Sequence, residues 1–173
     1  YTVYCSAKSY PHRQSVYKNA DLKYVPLDAN GSQSILYDIV SLIKATKKSD
    51  VILILGVSGC CFLPIYRLFS KKRLVINIDG LEHRREKWGK YAKAFLKFSE
   101  KMAVKYADAV IADNKGIQDY VREEYGKEAE LIAYGGDHVL CDIADVEEQI
   151  LEKYGLKNIS YSFSLCRIEP ENN

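Results

Sequence analysis

The segment Asn77-Ile78-Asp79-Gly80-Leu81-Glu82-His83-Arg84-Arg85 places two acids, a histidine and two arginines directly behind an apolar run. Carboxylates such as Asp79 and Glu82 can orient hydroxyls or take protons from them, and Arg84 and Arg85 can grip phosphate or carboxylate groups. The bland alternative is a solvated loop whose acids cap a helix. Position and chemistry coincide here, which favours a site. Three further polar stretches carry two readings each. Gly56-Val57-Ser58-Gly59 allows close backbone approach to a phosphate or sugar, or is simply a tight strand-to-helix turn, the simpler account. Asp113-Asn114-Lys115-Gly116 either caps a helix through Asp113 or Asn114 or offers its amides to an anion, and capping alone accounts for it. Tyr134-Gly135-Gly136-Asp137-His138 suits a loop lining a cleft. The three histidines, His12, His83 and His138, have no evident nucleophile partner. Zinc spacing, the P-loop lysine pattern, the dinucleotide glycine fingerprint and the Gly-x-Ser-x-Gly elbow are all missing from the sequence.

These stretches must be held by regular elements. Val51–Leu55, Leu74–Ile78, Ala109–Ala112 and Glu130–Ala133 are continuous apolar runs, the pattern of parallel strands covered on both faces. Weaker strands are expected at Thr2–Cys5, Leu22–Pro26 and Tyr161–Leu165. Helices are expected at Ser32–Thr46 behind an Asn30-Gly31-Ser32 start signal, and at Phe62–Phe69. Others are expected at Lys90–Tyr106, with Tyr91, Phe95, Phe98, Met102 and Tyr106 in a stripe, and at Gly116–Tyr125 and Val146–Tyr154. Strand and helix in alternation predict a doubly wound, Rossmann-like α/β fold with right-handed crossovers. Ligands in such folds bind beyond the carboxyl ends of the strands, which is where the polar stretches fall.

Composition narrows the class. The chain has 173 residues, 25 Lys+Arg against 23 Asp+Glu, and 47% hydrophobic residues. A disordered chain is excluded, and a net charge of +2 gives no argument for nucleic acid. No apolar run approaches the roughly 18 residues of a transmembrane helix. Cys5, Cys60, Cys61, Cys141 and Cys166 are an odd number without metal spacing and read as reduced, cytosolic thiols. Lys90, Lys93, Lys97, Lys101 and Lys105 line one helix; contact with an anionic membrane surface is open, but a solvated amphipathic face broken by Glu100 is the simpler reading. Residue 1 is Tyr and strand character begins at once, so the chain is expected to be a piece of a longer protein.

Taken in order, NIDGLEHRREKWGKYAKAFLKFSEKMAVKYADAVIADNKGIQDYV, IAYGGD and RIEPENN resemble the glycosyltransferase family 4 proteins, in particular the bacterial rhamnosyltransferase-like branch of cell-surface polysaccharide synthesis. The resemblance runs along the chain, and Asn77–Asp137 is its specific part. It implies the N-terminal, acceptor-side half of a GT-B enzyme lacking its first strand. Residues 1–160 would be this Rossmann-like domain and 161–173 the start of an otherwise absent donor-binding domain. The implied reaction is a retaining, metal-independent hexosyl transfer without cofactor. The donor would be dTDP-rhamnose or a UDP-sugar, and the acceptor a saccharide or lipid-linked saccharide at the cytoplasmic face of the membrane. Nucleic acid is not an expected partner. Asp79 stands where many family members carry a His and is the implied catalytic group. Glu82, Arg84, Arg85, Asn114, Tyr134, Gly135, Gly136 and Asp137 would bind substrate. Arg167 matches an arginine that binds donor phosphates, although Cys166 replaces the glycine usually before it. The fragment alone is expected to be inactive. The competing expectations are a non-catalytic binding subunit that pairs with a separate donor-binding chain, and an unrelated Rossmann-like ligand-binding module.

Overall fold

The computed structural model describes residues 1–137 and 146–162. The chain divides into two compact units, Tyr1–Ala133 and Tyr134–Asn173. The first contains a small sheet of β1 (Thr2–Ser6), β2 (Val16–Tyr17) and β3 (Ala20–Val25), ordered β1-β3-β2. It also contains a four-stranded sheet of β4 (Val51–Leu55), β5 (Arg73–Ile78), β6 (Ala109–Ala112) and β7 (Glu130–Leu131), ordered β4-β5-β6-β7 and parallel throughout. Helices α1 (Ser34–Thr46), α2 (Leu63–Phe69), α3 (Lys90–Tyr106) and α4 (Lys115–Tyr125) connect the strands in turn. This is the expected mixed α/β, Rossmann-like architecture. In the second unit, α5 (Val146–Lys153) ends near Gly155, which takes the left-handed φ of 67° that suits glycine at a helix end.

The four-stranded sheet explains the apolar runs. Ile52, Leu74, Ile76, Ile78, Val110 and Ala112 are buried and share a core with Leu42 of α1, Leu63 and Tyr66 of α2, Ala103 of α3 and Val121 of α4. Each crossover steps to the next strand in the same direction, and the right-handed rule then puts all four helices on one face. On that face the expected covering is realised. On the other, Val51, Leu53 and Leu55 of β4 are exposed at 52, 55 and 70%.

Several local expectations are corrected. The parallel pattern is broken by β2, which pairs antiparallel with β3. Lys18 and Asn19 make that hairpin turn with φ of 44° and 64°, a conformation that gives no glycine signal in the sequence. Strand β7 stops at Leu131, short of the expected Ala133, and residues 161–162 are not strand; the rest of the expected Tyr161–Leu165 strand lies outside the described residues. Asn30 does not cap α1 with its side chain; a short 3-10 turn, Gly31–Gln33, precedes the helix. The Phe62–Phe69 helix starts at Leu63 behind a 3-10 turn over Ser58–Phe62. On α3, Tyr91 and Phe98 of the expected stripe face solvent, and the buried set is Ser99, Glu100, Met102, Ala103 and Val104. Among the described residues, no helix is long and apolar enough to cross a membrane.

Candidate functional site

The register of the sheet assembles the candidate site. Ile78 pairs with Ala112, so Asp79 and Asp113 leave neighbouring strands side by side. Gly56 leaves β4 beside them with a φ of 88°, its amide still bonded to the carbonyl of Asn77. The carboxyl ends of β4, β5 and β6 thus bring Gly56–Gly59, Asp79–Arg85 and Asp113–Lys115 to one edge, as the topology requires.

Asp79 stands exposed at this edge. Partial loss of hydration, with the Glu82 and Asp113 charges adding to it and a backbone hydrogen bond opposing it, raises its carboxyl above the ordinary aspartate value. A carboxyl whose pKa is raised at the open end of a strand is a candidate for exchanging a proton with a hydroxyl. Glu82 opens a 3-10 turn, Glu82–Arg84, and behaves oppositely. Burial works against its charge. Hydrogen bonds from Arg85 Nη1 at 3.0 Å and Trp88 Nε1 at 3.3 Å, with the Arg85 and Lys87 charges, outweigh burial and lower its pKa. The two acids, three residues apart, are thus shifted in opposite directions.

The other predicted residues are placed as follows. Arg85 pairs with Glu82 inside the loop. Arg84 lies outward, its guanidinium 4.9 Å from the Tyr120 ring centroid. Asn114 caps α4, its Oδ1 accepting from the Ile117 amide at 3.0 Å, while its Nδ2 donates to Asp113 Oδ1 at 2.9 Å. The capping reading is thus realised. Tyr134, Gly135, Gly136 and Asp137 are exposed and belong to the second unit. Arg167, His138 and Cys166 lie outside the described residues.

Two carboxylates, one buried and one half-buried, were missed by sequence reasoning. Glu100, read as a solvated interruption of the lysine stripe, is fully buried. It accepts from Tyr120 Oη at 2.6 Å and from Tyr125 Oη, faces His83 Nδ1 at 3.1 Å, and has Lys97 Nζ at 3.5 Å. Burial and the Glu100 hydrogen bond both push the Tyr125 phenol far up, so it stays a donor. Glu100 therefore ties the turn carrying Glu82 and Arg84 to α3 and α4. Asp38 of α1 fixes the glycine turn: its Oδ2 accepts from Ser58 Oγ and from the Gly59 amide at 3.1 Å. Burial raises its pKa, against the lowering effect of those two hydrogen bonds. From α3, Ser99 Oγ donates to the Val57 carbonyl at 2.5 Å. A Cβ at Gly59 would overlap the Asp38 side chain, which is why glycine stands there. The tight-turn reading of Gly56–Gly59 is the one realised. The only sequence signal for Glu100 is its position: one helical turn before Ala103 and Val104, on the buried side of α3.

A search of curated proteins found no match. A family comparison matches residues 1–137, which include β1 to β7 and α1 to α4. By that match the chain belongs to the family described as Domain of unknown function (DUF1972), a domain found in glycosyltransferase-associated proteins.

Proposed function

We propose that the chain is the acceptor-side domain of a glycosyltransferase that moves a hexosyl group, rhamnose in the first instance, from a nucleotide sugar to a saccharide hydroxyl. The observation that carries this reading is the pair of unlike carboxylates, Asp79 and Glu82, at the carboxyl edge of a parallel sheet in a glycosyltransferase-associated family. An acceptor hydroxyl needs a polar group that positions it and a site for its proton. Asp79 supplies both at an exposed carboxyl. Arg84 and the outer face of the Glu82–Arg85 pair offer donors and acceptors to neighbouring sugar hydroxyls. Tyr134, Gly135, Gly136 and Asp137 would extend the saccharide contacts, and Arg167 would hold donor phosphates. The parent reaction is retaining and metal-independent on this reading. Its donor is dTDP-rhamnose or a UDP-sugar, and its acceptor a lipid-linked saccharide at the cytoplasmic membrane face in bacterial polysaccharide synthesis.

Donor binding needs the second wall of a GT-B cleft, so this chain is expected to bind nucleotide sugar poorly. Isothermal calorimetry with dTDP-rhamnose and a UDP-sugar tests this. No heat is expected from either at sub-millimolar concentration; low-micromolar binding would overturn the assignment to the acceptor side.

A further inference from the structure

Helices α1, α2 and α3 lie side by side on one face of the four-stranded sheet. Thr46 Oγ1 of α1 is 3.1 Å from Tyr66 Oη of α2. Arg67 Nε of α2 donates to the Tyr106 carbonyl at the end of α3 at 3.1 Å. Tyr66 is fully buried, so the opposite side of α2 meets water. Ile65, Leu68 and Phe69 are exposed there at the spacing of one helix face, Leu68 at 85%. From α1 come exposed Leu36 and Ile43, two helical turns apart, and from α3 comes exposed Phe98. This is more apolar surface on adjoining helices than scattered single residues leave. The charge around it has one sign. From Val51 to Ile78 the sequence has no Asp or Glu. The one acid of α1, Asp38, is bound to Ser58 and Gly59, and the one acid of α3, Glu100, is fully buried. Glu100 therefore leaves the lysines of α3 uninterrupted at the surface. Lys44, Lys47, Lys71, Lys101 and Lys105 are exposed and form no ion pair among the described residues. Lys47 lies one helical turn beyond Ile43, and Lys101 one turn beyond Phe98. Exposed Asp50 and Asp108 stand just before β4 and β6, and each has its own cation, Lys72 at 3.6 Å and Arg67 at 2.7 Å.

We propose that the outer face of α1, α2 and α3 docks on an anionic phospholipid bilayer, with Leu68 and Phe69 entering the headgroup boundary and the lysines meeting lipid phosphates. The apolar side chains gain by leaving water, and the long lysine stems reach past them to charged headgroups. Charge selects this occupant over a second copy of the chain. A symmetric dimer through this face sets lysine against lysine, whereas an anionic bilayer complements every exposed charge on it. The inference rests on surface chemistry and is independent of the glycosyl-transfer reading, because its test reads neither sugar binding nor sugar transfer.

The test is cosedimentation of the full chain with phosphatidylcholine vesicles, alone or with about 30% phosphatidylglycerol. Partition onto the anionic vesicles is expected to exceed that onto phosphatidylcholine at least about tenfold. Leu68→Ser, at an exposed position, is expected to weaken it about tenfold, and Lys101→Glu at least about fivefold. Lys23→Glu makes the same charge change at an exposed position of β3 and is expected to leave binding within about twofold. All three variants should melt as the parent does, since each side chain is exposed. Equal binding to both vesicle types, no binding to either, or a loss in Lys23→Glu as large as in Lys101→Glu overturns the proposal. So does a dimer in lipid-free solution that Leu68→Ser dissociates, which would make a second copy the occupant.

Discussion

The two sides of the four-stranded sheet differ in how they are closed. Around β5 and β6 the carboxyl edge is held by polar networks: Glu100 fixes the turn behind Asp79, and Asn114 closes the start of α4. Around β4 the turn is equally fixed, by Asp38 and Ser99, but the strand's outer edge and one of its faces are bare. Where a loop must hold charges in place near solvent, buried carboxylates do it through directed hydrogen bonds. Along β4 no such network covers Val51, Leu53 and Leu55, whose side chains stand in water.

Substitutions can break this contrast, beginning with the largest effect. Glu100→Ala removes one member of a buried charged cluster and strands its partners, so a loss of about 3–5 kcal/mol is expected in urea unfolding. Glu100→Gln keeps the shape and part of the hydrogen bonding and should cost clearly less. Gly59→Ala forces a methyl into Asp38 and should cost about 1–3 kcal/mol by the same measurement. Asn114→Ala loses the α4 cap, for about 1 kcal/mol, whereas Asn114→Asp should keep most of it. Equal losses for Ala and Asp would show that the side chain does more than cap. Leu53→Lys should stay within about 0.5 kcal/mol, because its side chain is already in water. A large loss there would mean the β4 face is not bare.

The acids of the site give opposite pH signs. Glu82 has a lowered folded pKa, so its stabilising contribution is present above the ordinary glutamate pKa and is lost as pH falls below that range. Asp79 has a raised folded pKa, so its protonated form is the one folding favours, and that contribution is lost as pH rises through the carboxylate range. Asp79→Asn is therefore expected to raise the melting temperature slightly at pH 7 and to leave it unchanged near pH 3.

Much of the fold is legible in sequence because its strands are short, continuous apolar runs and its helices carry clean periodicity. Val51–Leu55 and Lys90–Tyr106 are found with the expected bounds. The β2 hairpin is not legible, because Lys18 and Asn19 adopt left-handed turns without glycine. The location of the candidate site was legible for a similar reason: Asp79 to Arg85 is the densest polar cluster at a strand's carboxyl end. Its wiring was not. Glu100 looks like any charge in a lysine-rich helix until His83 and Tyr120, which are 17 and 20 residues away in sequence, are folded against it. The pairing of Glu82 with Arg85 likewise depends on the 3-10 turn that brings them to 3.0 Å.

The most direct measurement is a saccharide titration of the isotope-labelled chain by NMR, using a panel of rhamnose- and glucose-terminated oligosaccharides. The expected result is a saturable shift confined to Asp79–Trp88 and Asp113–Lys115 that Asp79→Ala abolishes while Asn114→Asp keeps it. Shifts that persist unchanged in Asp79→Ala, or that map away from the carboxyl ends of β5 and β6, would contradict the acceptor-side assignment.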